Sequence, residues 1–424
     1  MPLQTASVLG DAPFSLVAVV LAFALAPIGT QLVLCVLHEL AHALAAMLVG
    51  FRVVEIDLGR GPAWFARWWA GALVTMRPWP VHGFVRALYR GRRLLRPRLV
   101  AVALAGPLLN VLAAVSMQAV TWAVLDDDEY FTARGALLWA TTLSCWMQAL
   151  GAFASAPFGG RGGFWSLDVQ FAWAAMRATQ AQLEDGLVAN VMQAALHRFE
   201  RAFQAGDLAA AETELAAWIT AHGRDETSWS WTALLELARG DAAAAFAAHE
   251  RAEAGVRAAA VASQGDPAVL PLAARAARHE HAQQIAIVRT FFLVQRGDVA
   301  ALAEAQALAA AWPTGRRAGV PTATRTAMLR TRGELLLAQG QPAAAVPLLR
   351  AAVRGHEPYW LRAIGMAVLA QALLRAGGDA AVAEAVRWAA RARRLDPHGP
   401  LLPPHLRSFE AALAERRASA AAIR

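Results

Sequence analysis

Long apolar runs and short polar segments alternate over residues 1–175, and this pattern predicts helices that cross a membrane. A span needs about 20 apolar residues, and three segments have that length: Ile28–Val49, Leu99–Leu125 and Gly135–Phe153. A shorter run, Phe14–Ala26, precedes them. Pro27 leaves two alternatives open, one long kinked helix or a tight hairpin. We do not expect Phe14–Ala26 to be a removed signal peptide, because no basic segment precedes it.

The polar segment after the first span contains β patterns. Val53–Gly59 has the composition of a short strand, and Pro62–Arg86 is rich in tryptophan, which favours the membrane interface. We predict that Pro62–Arg86 folds as a hairpin lying on or dipping into the bilayer. We treat His82, within this hairpin, as an interfacial histidine and not as a metal ligand.

From residue 176 onward the sequence is alanine-rich, charged and helical in period. Turns recur around five glycines, at positions 206, 240, 297, 340 and 378, with intervals of 34, 57, 43 and 38 residues. The first interval equals the period of tetratricopeptide repeats, and the region resembles a degenerate array of about five helix pairs. We expect the long interval to hide an insertion near Gln264–Pro267.

The predicted fold class is therefore an all-α membrane protein in two domains. Residues 1–175 form a polytopic transmembrane helical core with a small interfacial strand/hairpin segment. Residues 176–424 form a soluble α-solenoid of tetratricopeptide-like repeats. The composition agrees with membrane spans, since 57% of the residues are hydrophobic and the mean hydropathy is +0.36.

The first span carries the motif His38-Glu39-Leu40-Ala41-His42. Two histidines four residues apart lie on one face of a helix and can bind one metal ion. A glutamate between them is the residue type that activates a metal-bound water. Ionisable residues at the bilayer centre cost roughly 2.5–3.5 kcal/mol each on insertion scales, so they need a compensating partner. A divalent cation would supply one.

This motif and two later segments resemble the site-2 protease family of intramembrane zinc metalloproteases. Ala105-Gly106-Pro107-Leu108-Leu109-Asn110 is similar to the family's Gly-Pro-x-x-Asn motif, and Pro157–Asp168 is similar to the loop that supplies an aspartate. The resemblance covers roughly residues 14–175. Two features differ: Val169 follows Asp168 where the family often has glycine, and Phe153–Ala156 lacks the asparagine expected before the loop proline.

The resemblance implies a zinc site formed by His38, His42 and Asp168, with water in the fourth position. It implies that Glu39 is the catalytic base. It places Asn110 near the active site, where its amide binds the substrate. The implied substrate is a transmembrane protein segment that must unwind locally, because a helix hides its carbonyl groups in hydrogen bonds.

The distribution of charge predicts the orientation of the spans. Arg52–Arg98 contains ten arginines, whereas the opposite loop contains the acidic run Asp126–Glu129, and the arginine-rich side should be cytoplasmic. The second span leaves this side and the third returns to it, so Asp168 comes back to the face of the motif. A full span is about 30 Å long, and most of that length separates Asp126–Glu129 from the motif, which makes Asp168 the better carboxylate ligand.

These observations predict a multi-pass protein of the bacterial inner membrane with a cytoplasmic repeat domain. Its net charge of +8 does not indicate a nucleic-acid partner, because the basic cluster lies between spans, where orientation signals belong. We expect three kinds of partner: the lipid bilayer, a transmembrane protein substrate, and a protein or peptide bound by the repeats.

Two other functions are compatible with parts of the sequence. A catalytically inactive membrane-anchored scaffold, binding partners through its repeats, is supported by Val169 beside Asp168 and opposed by the intact motif at positions 38–42. A metal transporter is the weaker hypothesis, because we find one metal motif and no chain of polar residues through the other spans.

Overall fold

The computed structural model describes residues 12–89, 94–125, 132–153, 167–262, 272–312, 322–355 and 357–422. The chain forms two compact units. The first comprises Met1–Arg60 and Arg67–Gln193, and the second comprises Gly61–Ala66 and Ala194–Arg424. The described residues are mostly helical, with one small sheet. The division into domains at 1–175 and 176–424 remains a prediction.

The first helix, α1 (Ala12–Leu48), is continuous through Pro27, so the long-helix alternative is correct and the hairpin is wrong. A proline removes one hydrogen bond from a helix interior, and membrane helices tolerate this loss where neighbouring groups compensate. Gly50 ends the helix with φ +80°, and the amide of Phe51 donates to the carbonyl of Ala46 at 2.8 Å. This turn directs the chain from the bundle into the sheet.

Among the described residues, three helices are long and apolar enough to cross a membrane, in agreement with the three predicted spans. They comprise Val19–Leu48 of α1, α2 (Leu95–Val124), and Arg134–Phe153 of α3 (Ala133–Phe153). Leu34 of α1 packs with Ala114 of α2 and Ala149 of α3, as expected where small residues let membrane helices approach. The hydroxyls of Thr121 and Thr142 form a buried hydrogen bond of 2.7 Å between α2 and α3.

The segment between α1 and α2 forms four strands in one sheet: β1 (Arg52–Arg60), β2 (Phe65–Trp69), β3 (Ala72–Met76) and β4 (Trp79–Leu88). The strand order is β2-β3-β1-β4, so β4 lies at an edge. Strand β1 is parallel to β3 and antiparallel to β4. The sheet is larger than the predicted strand and hairpin. Strands β2 and β3 are neighbours, and the chain after them returns as β4 to pair with the other edge of β1.

The sheet is fixed internally by an ion pair and externally by α1. Arg77, which follows β3, donates two hydrogen bonds of 2.7 and 2.8 Å to the carboxylate of Asp57 on β1, and both side chains are buried. Ile56 and Leu58 pack against Ala43 of α1. Because Ala43 follows the metal motif directly, this packing holds the sheet beside it.

Helix α4 (Leu167–Arg177) and the part of α5 (Gln180–Gln204) up to Gln193 complete the first unit. Ala175 of α4 is buried in an apolar cluster with Phe51 and Leu95. The guanidinium of Arg96 donates to the carbonyl of Ala178 at 2.7 Å. These contacts fix α4 against the start of α2, at the end of the bundle where the metal motif lies.

The remaining helices are α6 (Leu208–His222), α7 (Glu226–Arg239), α8 (Ala242–Ala262), α9 (Leu272–Arg296), α10 (Val299–Ala310), α11 (Thr322–Ala338), α12 (Pro342–Ala352), α13 (Tyr359–Ala376), α14 (Asp379–Leu395) and α15 (Leu402–Ala422). Each of the five predicted turn glycines joins two successive helices, from α5–α6 to α13–α14. Gly240 has φ +88° and ends α7, and Asp241 accepts a hydrogen bond from the amide of Ala244 at the start of α8.

The helix pairs are thus present, whereas a tetratricopeptide solenoid remains a prediction. The expected insertion near Gln264–Pro267 and the acidic run Asp126–Glu129 lie outside the described residues.

Candidate metal centre

The motif residues His38 and His42 lie one turn apart on α1, as their spacing predicts. Their Nε2 atoms are 3.1 Å apart, and the ring planes are inclined at 79°. Both side chains are largely buried, with 14% and 9% of their surface exposed. Two imidazoles therefore present the same ring nitrogen to one point inside the helical bundle.

Asp168 brings a carboxylate to this point from a distant part of the chain. Its Oδ2 atom lies 3.1 Å from Nε2 of His38 and 3.6 Å from Nε2 of His42. Asp168 is in the first turn of α4, where the helix dipole favours a negative charge. The structure thus brings together the three residues that the sequence predicts as metal ligands.

The tautomer of His42 is set by the neighbouring helix. Its Nδ1 atom lies 2.7 Å from the carbonyl oxygen of Val102 on α2. A carbonyl oxygen only accepts, so Nδ1 must carry the proton and Nε2 of the neutral ring keeps a lone pair. This is the arrangement that orients a histidine for metal binding through Nε2.

The carboxylate of Asp168 is held in its charged form. Burial acts to raise the pKa of Asp168, but the hydrogen bond from Nε2 of His38, 3.1 Å away, acts against it, and the pKa lies well below the ordinary range of an aspartate. An ionised carboxylate is the form that binds a metal. His38, His42 and Asp168 each offer one ligand atom here, and these atoms all lie within 4.8 Å of one another.

The three candidate ligand atoms fit a zinc ion. Tetrahedral zinc with bonds of about 2.0–2.2 Å requires ligand atoms about 3.3–3.6 Å apart, and the observed separations of 3.1, 3.1 and 3.6 Å differ from this by a few tenths of an ångström at most. Two imidazoles and one carboxylate are also a donor set of catalytic zinc sites. A centre with three protein ligands leaves a fourth position for water.

Gly106 of α2 lets the backbone approach the histidine rings. A Cβ atom built at this position would lie 2.5 Å from the Nε2 atoms of both His38 and His42, far inside van der Waals contact. In the sequence, this glycine is recognisable only as part of the motif that ends at Asn110. The signal was available, because positions 106 and 110 are four apart and share one face of α2.

A cavity of about 310 Å³ opens beside the candidate ligands, and His38, Glu39, Asn110 and Asp168 all line it. Glu39 is 7% exposed and Asn110 is 5% exposed. The Oδ1 atom of Asn110 is buried and has no hydrogen-bond partner within the described part of the chain. Leaving such an acceptor unpaired costs about 1–3 kcal/mol, so the cavity contains a polar group open to a ligand.

Strand β4 covers Glu39 from the side of the sheet. A Cβ atom built at Gly83 would lie 2.6 Å from Cγ of Glu39 and 2.9 Å from the carbonyl oxygen of Asp57. Gly83 pairs with Leu58 of β1, so the sheet register puts the residue without a side chain against the glutamate. The neighbouring His82 lines the cavity but is not among the three candidate ligands. No pattern in the sequence indicates this role of Gly83.

These features define a class of protein: a membrane protein with a candidate metal centre and a buried glutamate among its spanning helices. The chain belongs to peptidase family M50, the site-2 protease family, whose model matches residues 28–336. Membership implies a peptidase, and the family is zinc-dependent in general. No curated protein and no solved structure shows significant similarity to the chain.

Proposed function

We propose that the protein is an intramembrane zinc metalloprotease that hydrolyses peptide bonds in or near the transmembrane segments of membrane proteins. The observation that carries the proposal is the convergence of the Nε2 atoms of His38 and His42 and the Oδ2 atom of Asp168, at most 3.6 Å apart, beside a cavity that Glu39 also lines. The spanning length of the helix that bears the motif and membership in a peptidase family support the same function.

In this proposal His38, His42 and Asp168 hold the zinc ion. When bound, zinc acts as a Lewis acid and lowers the pKa of water toward about 7. Glu39 takes the proton of the attacking water and passes it to the leaving amine. Val102 keeps His42 in the required tautomer through the 2.7 Å hydrogen bond to its carbonyl.

The substrate is a transmembrane helix that unwinds before cleavage. An unwound backbone in the membrane must find new hydrogen-bond partners, and two features supply them. Asn110 offers in the cavity a carbonyl oxygen that has no hydrogen-bond partner among the described residues. Strand β4 lies at the edge of the sheet, so an extended substrate segment can pair with its outer backbone groups.

Two substitutions test the chemistry. Glu39→Gln should keep the zinc and lower the cleavage rate about 10²- to 10⁴-fold, as expected for loss of a general base. Asp168→Asn should lower the zinc content of the purified protein, whereas Glu212→Gln, the same type of change on the surface of α6, should not. Metal analysis and a cleavage assay measure these effects.

The same experiment distinguishes the enzyme from a catalytically inactive scaffold. The scaffold would be favoured if the purified wild-type protein held no zinc and the Asp168→Asn variant had the same metal content as the wild type. Cleavage by Glu39→Gln at the normal rate would show that Glu39 is not the base.

The helical region 176–424 is proposed as a tetratricopeptide-like α-solenoid that binds a protein or peptide partner. Five helix pairs joined at glycine turns support the repeat architecture, and solenoids of this kind form concave binding surfaces. The arginine-rich segment Arg52–Arg98 supports a cytoplasmic location in a bacterial inner membrane. Reporter fusions at the C-terminus test the orientation, and an external location of the reporter would refute it.

A further inference from the structure

The cavity beside the candidate metal centre is lined by three carboxamide side chains, each from a different spanning helix. They are Gln31 of α1, Asn110 of α2 and Gln148 of α3. Polar side chains are expensive within a membrane bundle and usually have a function there. The roles given above to the metal ligands and Glu39 do not account for Gln31 and Gln148.

The positions of the carboxamides extend the site along the bundle. Gln31 and His38 are seven residues, or two turns, apart on one face of α1, which corresponds to about 10.5 Å along the helix axis. An extended chain covers this distance with about three residues. Gln148 is followed one turn later by Gly151, which also lines the cavity, and a Cβ atom built there meets nothing within 4 Å. Within the described part of the chain, no atom therefore fills the space next to Gly151 of α3.

A carboxamide has the same hydrogen-bonding groups as a peptide bond. Its carbonyl accepts and its amide donates two hydrogen bonds, so it can pair with the main chain of an extended segment whatever its side chains are. Such pairing replaces the hydrogen bonds that a substrate helix loses on unwinding. Asn110, with its buried and unpaired Oδ1 atom, already offers one acceptor.

We propose that Gln31 and Gln148 act with Asn110 to bind the main chain of an unwound transmembrane segment next to the metal centre. This inference rests on the proposed protease function. It makes Gln31 and Gln148 substrate-binding residues, and it predicts that the site recognises backbone over about three residues on the side of the centre toward Gln31.

The experiment measures binding of a defined probe to the full-length, zinc-loaded protein in detergent. The probe is a fluorescent peptide of about 20 leucine and alanine residues, interrupted by an Asn–Gly pair to ease unwinding. Glu39→Gln serves as the background so that the probe is not cut during titration. Gln31→Leu and Gln148→Leu are compared with Gln118→Leu, a matched change on α2 at a residue that bonds to Trp146 and does not line the cavity.

Loss of one hydrogen bond to the probe should raise the Kd about three- to tenfold for Gln31→Leu and for Gln148→Leu. Gln118→Leu should leave the Kd within about twofold, and all three variants should hold as much zinc as the background. In the wild-type background the two cavity variants should raise KM more than they lower kcat.

Each other outcome overturns the inference in a recognisable way. An unchanged Kd in both cavity variants, with cleavage by wild-type protein intact, refutes the role of the glutamines and leaves the protease function standing. A fall in kcat at unchanged Kd means that the glutamines serve another purpose, such as water access. A wild-type protein that binds the probe and zinc but never cuts the probe contradicts the proposed function itself.

Discussion

Replacing Gly106 by alanine would place a methyl group between α2 and both histidine rings. The added Cβ would lie 2.5 Å from the Nε2 atoms of His38 and His42, whereas real Cβ atoms essentially never approach heavy atoms closer than 3.0 Å. The rings or the helix must therefore move by at least about half an ångström. Metal ligands must keep their distances within about 0.2 Å, so the donor set cannot absorb this movement without loss of affinity.

The expected effect is a fall in zinc affinity of about 10- to 100-fold, the range seen when groups that orient metal ligands are changed. Cleavage should fall at least as much at limiting zinc. Two opposing effects act on the free energy of unfolding. Overpacking costs about 1–3 kcal/mol, whereas replacing glycine in a helix gains up to about 1 kcal/mol. The signature is thus loss of metal with retention of fold.

Gly151→Ala is the matched control. It makes the same change within a spanning helix, but its Cβ meets nothing within 4 Å, so zinc affinity should stay at the wild-type value. Zinc affinity is measured by competition with a chelator, and folding by thermal unfolding in detergent. If Gly106→Ala binds zinc as tightly as Gly151→Ala, the metal does not lie between the Nε2 atoms and the assigned centre is wrong.

Three further predictions follow from the structure. Arg77→Met leaves the buried Asp57 carboxylate unpaired and should destabilise the protein by about 3–5 kcal/mol, whereas the double variant with Asp57→Leu should recover much of this in thermal unfolding. Gly83→Val would clash with Glu39, so kcat should fall with zinc content unchanged, and a normal kcat would show that β4 does not constrain Glu39. Burial raises the pKa of Asp396 from 3.8 to about 6. The folded state therefore binds the proton more tightly, and stability is lost as the pH rises from about 4 to about 6. Asp396→Asn should remove this loss of at most about 3 kcal/mol, and identical pH profiles of unfolding would refute the assignment.

Local chemistry in the sequence determined the helices, their turns and two of the three candidate ligands. The helical period of 3.6 residues puts His38 and His42 on one face whatever surrounds them, and apolar length alone identifies the three spans. Turn glycines such as Gly240 also act locally, because a left-handed backbone ends a helix without help from distant residues. These features depend on residues within a few positions of each other, so a pattern suffices to predict them.

The tertiary structure decided everything that depends on two distant segments meeting. Asp168 was selected by side of the membrane and by resemblance, but only the packing of α4 on α2 brings Oδ2 within 3.1 Å of His38. The roles of Gly106 and Gly83 depend on how closely α2 and β4 approach α1, and the register of β4 against β1 selects which residue faces Glu39. Hydrophobic patterning specifies which face of an element is buried. It does not specify which partner covers that face or at what distance, because these follow from side-chain packing across the whole unit.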